Sequence, residues 1–346
     1  MPHVQPPAGP AAAALPDASA DARGLAALLA GCALLLGLGA AGGLLLGEFA
    51  LAPEALWHAL AQGGDGTEAF VVRELRLPRL LVGLLAGAAL GMAGAIIQSI
   101  TRNPLGEPSL MGVSAGAAFA MVAGMVWFDW PQSVMLACGT AGGVLAGLLT
   151  FAIAARTRLQ PLYLTLTGMS INLFFAAAIT LLLVSADIEA NGIYYWLTGS
   201  LANRGWPHVH LLWPWVLPGL ALAAASGRIL DLLLLDEQVL HALGLRVGAW
   251  RLLFGLCAAL LTAASVAATG PIAFIGLLAP HLVRLGLRPR GGALGHRRLL
   301  PLAALVGASL VCGADLIAKW REVPVGILCV LLGGPLLVYL IRRQED

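Results

Sequence analysis

Long uncharged stretches of apolar residues follow one another along most of the chain, and short segments between them carry most of the Asp, Glu, Lys and Arg residues. Because an α-helix rises about 1.5 Å per residue, about 20 apolar residues span the hydrocarbon core of a bilayer, about 30 Å thick. We therefore predict a helical membrane protein. The uncharged runs are 25–47, 80–101, 108–128, 130–155, 159–186, 205–227, 252–283, 299–314 and 323–341.

The composition points to the same class. Hydrophobic residues make up 59% of the chain and charged residues only 11%, whereas soluble domains are about 25% charged. No linker separates the apolar runs, so we predict one integral membrane domain at 25–346. The Pro- and Ala-rich segment 1–24 lacks the basic region of a secretory signal and is predicted to be a disordered cytoplasmic tail. A formal net charge of +2 gives no indication of a nucleic-acid partner.

The number of crossings depends on the 32-residue run 252–283, which carries Gly270 and Pro271 in its middle. This pair favours a helix break. If the run forms two helices, the chain crosses ten times and 14 of its 20 Lys and Arg residues face the cytoplasm. If it forms one helix, only 9 of the 20 do. Because basic residues concentrate on the cytoplasmic side, we predict ten crossings with both termini cytoplasmic.

Five segments carry a resemblance to a known family: RLPR at 76–79, NPLGEP at 103–108, LDEQVLHALG at 235–244, GPIAFIGLLAPHLVR at 270–284 and ADLIAKW at 314–320. In these motifs and their spacing, the chain resembles the FecCD-type permeases, the membrane subunits of ABC importers for iron-siderophores, haem and vitamin B12. The resemblance implies an all-α integral membrane fold of the type II ABC importer permease architecture. Its ten transmembrane helices would form two inverted halves of five.

A gate is expected in the loop after the second predicted span. Two prolines in Asn103–Pro108 prevent one helix from continuing, and the residues alone indicate a simple turn. The resemblance implies more: Asn103 and Leu105 match positions of the cytoplasmic gate where two permease copies meet. A second gate would lie near residues 160–163, where the motif match is poor.

The segment 235–244 is expected to couple the permease to an ATPase. Asp236 and Glu237 suit the first turn of a short helix, and Gly244 suits its C-terminal cap. From the residues alone, this is a solvated loop helix. The resemblance implies a coupling helix, including Leu243, that docks in a groove of the ATP-binding subunit. Asp236 stands where the family usually has Gly.

Six basic residues lie on the outside in the ten-crossing topology, where such residues are normally depleted, and four of them fall in the family-like motifs or directly after one. Arg76, Arg79, Lys319 and Arg321 are therefore predicted to be exposed cations that meet a negatively charged partner. The resemblance implies that they receive glutamates from the two lobes of a periplasmic binding protein. Asp315 precedes Lys319 by four residues, which predicts an i, i+4 ion pair.

The resemblance implies a permease subunit of the bacterial inner membrane, paired with a second copy or a homologous chain, two ATP-binding cassette subunits and a periplasmic binding protein. The chain has no P-loop GxxxxGK[ST], so ATP and Mg would be used by the partner ATPase. We expect no catalytic residue, metal site or cofactor here, because neither paired carboxylates nor HExxH or CxxC motifs occur.

The cargo expected first is an iron-siderophore complex, as the commonest in the family, with haem and cobalamin as alternatives. An ion-coupled secondary transporter is the rival class of function. Such carriers place acidic residues near the middle of the membrane, and no predicted span here has one at its centre.

Overall fold

The computed structural model describes residues 18–47, 50–61, 66–128, 130–157, 159–186, 191–287, 294–321 and 323–345. All regular secondary structure within these ranges is helical, which confirms the predicted all-α class. The helices are α1 (Ala18–Leu45), α2 (Pro53–Ala61), α3 (Thr67–Phe70), a π-helix (Val71–Arg76), α4 (Leu77–Ile100), a 3₁₀-helix (Pro108–Met111), α5 (Val113–Trp127), α6 (Gln132–Ala154), a 3₁₀-helix (Ala155–Thr157), α7 (Pro161–Ser185), α8 (Asn191–Leu197), α9 (Trp206–Ala225), α10 (Gly227–Leu232), α11 (Glu237–Ala242), α12 (Val247–Thr269), α13 (Ile275–Gly286), α14 (His296–Arg321) and α15 (Val325–Glu345).

Seven helical segments of the described chain are long and apolar enough to cross a membrane. Three further apolar helices or parts of helices are shorter, and they lie in α5, α13 and α15. Together they follow the predicted apolar runs in order. The seven segments are Ala22–Leu45, Thr67–Ile100, Gln132–Thr157, Pro161–Ser185, Trp206–Ala225, Val247–Thr269 and His296–Arg321.

The long run 252–283 is two helices, so its reading as one helix is wrong. Helix α12 ends at Thr269 and α13 begins at Ile275. Between them the backbone turns through Gly270 at φ 75° and Phe274 at φ 70°. The left-handed region suits glycine and is uncommon for a bulky residue such as Phe. The expected break therefore falls where Gly270 and Pro271 predicted it.

The first helix begins earlier than predicted. Helix α1 starts at Ala18, so residues 18–24, predicted to belong to a disordered tail, are helical. Every second residue from Ala18 to Ala22 is Ala, the best helix former, and helix propensity does not require an uncharged segment. The rest of the predicted tail lies outside the described residues.

Helix α4 lies in the centre of the bundle and packs against α9, α12, α13 and α14. Most of its side chains from Ala86 onward are buried. A Cβ atom built on Gly87 would lie 2.5 Å from the carbonyl oxygen of Gly307 in α14, so only glycine permits this approach. The more exposed α1, α7 and α9 form the periphery.

The polar contacts of the helix ends form two groups at opposite ends of the bundle. Helix α14 runs antiparallel to α4: its first residue, His296, contacts Ser99, and Asp315 near its end contacts Arg79. We define the Arg79 face by residues 43–47, 67–79, 191–206 and 315–321. The Arg102 face is defined by residues 98–112, 226–246, 284–287 and 294–298.

Candidate gate, coupling and docking sites

The loop predicted to be a gate, residues 102–107 and called the gate loop below, is a tight turn on the Arg102 face. The side-chain oxygen of Asn103 accepts a hydrogen bond from the Leu105 amide at 2.9 Å, and the Gly106 amide donates to the Asn103 carbonyl at 2.9 Å. Asn103 thus fixes the shape of its own loop through an Asx-type turn. This leaves the Leu105 side chain 42% exposed. The loop therefore presents an apolar side chain on a rigid turn.

Glu107 anchors the end of the gate loop. Its carboxylate accepts a hydrogen bond of 2.7 Å from the backbone amide of Phe274, the residue before α13. The first amides of a helix have no partner within the helix, and a carboxylate satisfies one of them there. Sequence reasoning missed this residue. The available signal was an acidic residue beside Pro108, at the edge of an uncharged run.

Arg102 anchors the beginning of the gate loop. Its guanidinium donates to the carbonyl oxygen of Leu233 from Nε at 3.2 Å and from Nη2 at 3.1 Å, and Nη2 also donates to the carbonyl oxygen of Leu235. Arg102 has φ 49°, in the left-handed region. The gate loop is therefore hydrogen-bonded to the segment that leads into α11.

A second chain of polar contacts joins the same elements. Asp231 in α10 accepts hydrogen bonds at one carboxylate oxygen from the His296 backbone amide at 2.8 Å and from ring atom Nδ1 at 2.6 Å. The other ring nitrogen, Nε2, lies 2.5 Å from Ser99 Oγ. A Ser-His-Asp order occurs in hydrolases, but Ser99 and His296 are each 2% exposed. No substrate reaches the serine, and the chain of contacts holds α10, α14 and α4 together.

Helix α13 is also tied to the last turn of α4. Arg284 Nη1 donates to the Gln98 side-chain oxygen at 2.6 Å, and Gln98 Nε2 donates to the Leu277 carbonyl at 3.3 Å. Both side-chain groups of the amide are thus satisfied in a buried position. Gln98, Ser99 and Arg102 therefore connect the end of α4 to three parts of the protein. These are α13, α14 and the segment that follows α10.

The segment 235–244, predicted to couple to an ATPase, contains the predicted short helix, and together with Leu233 and Leu234 it is called the coupling segment below. Asp236 Oδ1 accepts a hydrogen bond from the Gln238 amide at 2.9 Å, and Glu237 is the first residue of α11. Gly244 follows the helix with φ 70°, as expected for a C-terminal cap. Leu240 is fully buried, whereas Leu243 is 58% exposed. The predicted local structure is confirmed, and its contact with an ATPase stays a prediction.

An ion pair dominates the Arg79 face, but it differs from the predicted one. Arg79 donates from Nη2 to Asp315 Oδ1 at 2.6 Å and from Nε to Oδ2 at 3.0 Å. The predicted pair of Asp315 with Lys319 is wrong, because Lys319 Nζ instead donates to the Gly43 carbonyl at 2.6 Å. The planar guanidinium binds both carboxylate oxygens, which an ammonium group cannot do as a fixed pair.

The two basic residues nearest to α1 cap its C-terminal end. Arg76 Nη1 donates to the Leu44 carbonyl at 2.6 Å, beside the Gly43 carbonyl that Lys319 contacts. The last carbonyls of a helix have no partner within the helix and carry its negative dipole end, so cations are favourable there. Arg76 is only 7% exposed. Its predicted exposure is therefore wrong, because it contacts α1 rather than solvent.

Arg321 is the exposed member of the predicted docking set. Its guanidinium carbon lies 4.6 Å from the ring centroid of Trp320, whose side chain is 78% exposed. This is a cation–π arrangement at a solvent-facing helix end. Lys319 and Arg79 are half-buried. Of the four predicted docking residues, Arg321 is thus the one most accessible to a partner.

A half-open cavity of about 640 Å³ lies on the Arg79 face. Arg76, Arg79, Lys319 and Arg204 line it together with Glu74. Arg204 donates from Nε to the Ser200 carbonyl at 3.1 Å, and burial lowers its pKa to about 10, so it stays charged at neutral pH. The cavity brings together three of the four predicted docking residues. Sequence reasoning missed Arg204, whose only signal was a lone basic residue before a predicted span.

A π-helix precedes α4. Residues Val71–Arg76 have the wider π-helical turn, whereas α3 before it and α4 after it are α-helical. Insertions of this kind are rare and are often found at functional sites. Here the π-helix contains Arg73, which donates to the Ala59 carbonyl at 2.6 Å, and Arg76. It therefore sets the directions of two basic side chains on the Arg79 face.

In the described part of the chain no group of His, Cys, Asp and Glu residues has the arrangement of a metal site.

Comparison with known proteins shows the family. The model of the FecCD transport family matches residues 32–343. The Fe(3+) dicitrate transport system permease protein FecD of Escherichia coli (strain K12) is 40% identical over 281 residues, covering 80% of this chain and 86% of the relative. The vitamin B12 import system permease protein BtuC of Vibrio cholerae is 38% identical over 312 residues, covering 88% and 90%.

Solved structures give the same result for the fold. A metal-chelate type ABC transporter, solved in an inward-facing conformation, superposes with a TM-score of 0.78 at 31% identity, covering 92% of this chain and 99% of that chain. PsaBC from Streptococcus pneumoniae, in complex with Fab, shares the fold at a TM-score of 0.55 and 14% identity. The family match covers nearly all of the described helices. The chain belongs to the FecCD transport family of ABC importer permeases.

Proposed function

We propose that this protein is the membrane permease of a binding-protein-dependent ABC importer that moves an iron-siderophore or related ferric chelate from the periplasm to the cytoplasm. The family match over residues 32–343 carries the proposal. The chain has no P-loop, so the energy comes from a separate ATPase subunit with its own ATP and Mg. No catalytic residue, metal or cofactor of the permease takes part.

We propose that the chain crosses the membrane ten times, with inverted halves of five helices and both termini in the cytoplasm. The contacts of the helix ends support the directions that this topology gives to α1, α4 and α14. The C-terminal end of α1 and the N-terminal end of α4 meet on the Arg79 face, and α14 returns from the Arg102 face to the Arg79 face. The Arg102 face would be cytoplasmic, which agrees with the predicted excess of basic residues there.

On the cytoplasmic side, the coupling segment would dock on the ATPase and the gate loop would close the path. Asp236, Glu237, Leu243 and Gly244 would form the coupling contact, because they shape a short helix with an exposed apolar side chain. Asn103 and Leu105 would act at the gate, where a second permease copy or a homologous chain supplies the opposite half.

On the periplasmic side, the Arg79 face would receive the binding protein. Arg321 would supply an exposed charge, and Arg76, Arg79 and Lys319 would contribute from the cavity. Cations at a rim mainly raise the rate of association with a negatively charged partner. Because Arg79 already binds Asp315, a partner carboxylate would have to share its guanidinium.

The test uses vesicles that contain the permease and its ATPase, with the binding protein added outside. Ferric citrate, a ferric hydroxamate, haem and cobalamin are supplied in turn as labelled cargo. We expect uptake of a ferric chelate that requires ATP inside the vesicle and continues without an ion gradient. Uptake of only haem or cobalamin would overturn the proposed cargo. Uptake that follows a proton or sodium gradient without ATP would overturn the importer itself in favour of a secondary transporter.

Topology is tested separately by cysteine labelling in whole cells, starting from a variant whose five native cysteines are replaced. A cysteine at Arg156 or Arg298 is expected to react only after the membrane is permeabilised. A cysteine at Arg321 is expected to react from outside. The reverse pattern would contradict the ten-crossing orientation.

A further inference from the structure

The gate loop is held at its first residue by the segment that leads into the coupling helix. Arg102 donates to the carbonyl oxygens of Leu233 and Leu235, which come just before Asp236. Backbone carbonyls of Leu233 and Leu235 move with their segment, so these bonds report its position rather than that of a flexible side chain. A displacement of the coupling segment therefore acts directly on Arg102.

A second link runs in parallel with the first. Asp231 lies two residues before Leu233, and through His296 it is connected to Ser99 in the last turn of α4. Ser99 and His296 are each 2% exposed, so the contact between these two side chains is shielded from water. The end of α4 and the gate loop that follows it are thus joined twice to the region around the coupling segment.

The far end of the gate loop has a different anchor. Glu107 accepts a hydrogen bond from the Phe274 amide, at the start of α13. Arg284 in α13 is in turn bound to Gln98. The gate loop is therefore fixed between the coupling segment at its beginning and α13 at its end. If the coupling segment moves relative to α13, the loop must change shape or lose one of its anchors.

We propose that Arg102, together with the Asp231–His296–Ser99 contacts, transmits movement of the coupling segment to the gate loop, as positioning residues that do not touch cargo or nucleotide. The inference rests on the proposed function, because it presupposes an ATPase that moves the coupling segment. It adds the residues between the ATPase contact and the gate.

The test measures coupling rather than folding. Arg102→Gln and Asp231→Asn are placed in the reconstituted importer, and cargo uptake is divided by ATP hydrolysed. We expect both variants to assemble with the ATPase and to hydrolyse ATP, while uptake per ATP falls about fivefold or more. Arg102→Lys keeps a cationic donor at this position and should retain part of the wild-type uptake per ATP. The matched control is Arg156→Gln, an exposed arginine outside both links, which should behave as wild type.

A double variant distinguishes transmission from general damage. If both links serve one movement, Arg102→Gln with Asp231→Asn should reduce uptake per ATP by less than the product of the two single effects. Unchanged uptake per ATP in both single variants would overturn the inference and leave the importer function intact. Loss of assembled complex in Arg102→Gln, Arg102→Lys and Asp231→Asn alike would also overturn it, because the role would then be structural. Absence of ATP-dependent uptake in wild type would instead refute the proposed function.

Discussion

Arginine side chains organise both faces of the protein, but they do so with different partners. On the Arg79 face, Arg79 binds a carboxylate on α14 and Arg76 binds the C-terminal end of α1. On the Arg102 face, Arg102 binds the backbone of the coupling segment. The first arrangement connects long helices of the bundle. The second connects the loop 102–107 to the segment 233–244, so under the proposed function its loss should affect coupling more than stability.

The largest effect is expected from Asp315→Ala on the Arg79 face. The Arg79 and Asp315 side chains are 19% and 11% exposed, and removal of one partner leaves a partly buried charge without its pair. We expect a loss of about 3 kcal/mol in the free energy of unfolding. Thermal unfolding of the purified protein in detergent measures it. The double variant Arg79→Met, Asp315→Leu should recover much of the lost free energy of unfolding. An equal loss in the single and the double variant would contradict the unpaired charge as its cause.

A smaller loss of stability is expected from Glu107→Ala on the Arg102 face. The variant leaves the Phe274 amide without its acceptor, which costs about 1–3 kcal/mol. Glu107→Gln retains an acceptor oxygen of similar shape and serves as the matched control. The comparison is made by the same unfolding measurement. If the glutamine variant were as unstable as the alanine variant, the charge and not the hydrogen bond would be what matters.

Gly244 of the coupling segment has a matched control in Gly248 of the neighbouring helix α12. Gly244 has φ 70°, so Gly244→Ala should destabilise the end of α11 by about 1–2 kcal/mol. Gly248 lies in α12 with open space around its Cβ position, and Gly248→Ala should be neutral or slightly stabilising. We expect weaker ATPase binding for the first variant only, measured with purified subunits. Equal affinities would show that the C-terminal cap does not shape the docking surface.

Arg321→Glu should have the smallest effect on the fold, because the residue is exposed. We expect the unfolding temperature to stay unchanged while the association rate of the binding protein falls, mostly at low ionic strength. Surface-based kinetic measurement at low and high salt tests this expectation. A rate that is independent of both the substitution and salt would remove Arg321 from the docking surface.

Local features of this fold could be predicted from sequence, because neighbouring residues determine them. The apolar runs predicted the helices, Gly270 and Pro271 predicted the break before α13, and Asp236 and Gly244 predicted the ends of α11. Each of these signals acts within a few residues along the chain. The family motifs added the candidate roles, which local patterns alone do not give.

Long-range pairing could not be predicted in the same way. Arg79 and Asp315 are 236 residues apart in sequence, so the local rule favoured Lys319 as the partner of Asp315. The same holds for Glu107 with Phe274 and for Arg102 with Leu233, whose partners lie on other elements. The π-helix was also missed, because no residue type in Val71–Arg76 marks a wider helical turn.

The close backbone contact of Gly87 with Gly307 lies near the middle of α4. It lies between the Arg79 and Ser99 contacts along α4, and α4 has no proline after Pro78, so the helix should tilt as one rod. Its 24 residues extend about 36 Å. A tilt of about 5° about the midpoint would shift each end by about 1.5 Å in opposite directions, which is enough to break a hydrogen bond. Under the proposed topology, displacements at the Arg79 face and at the Arg102 face would then occur together and in opposite directions.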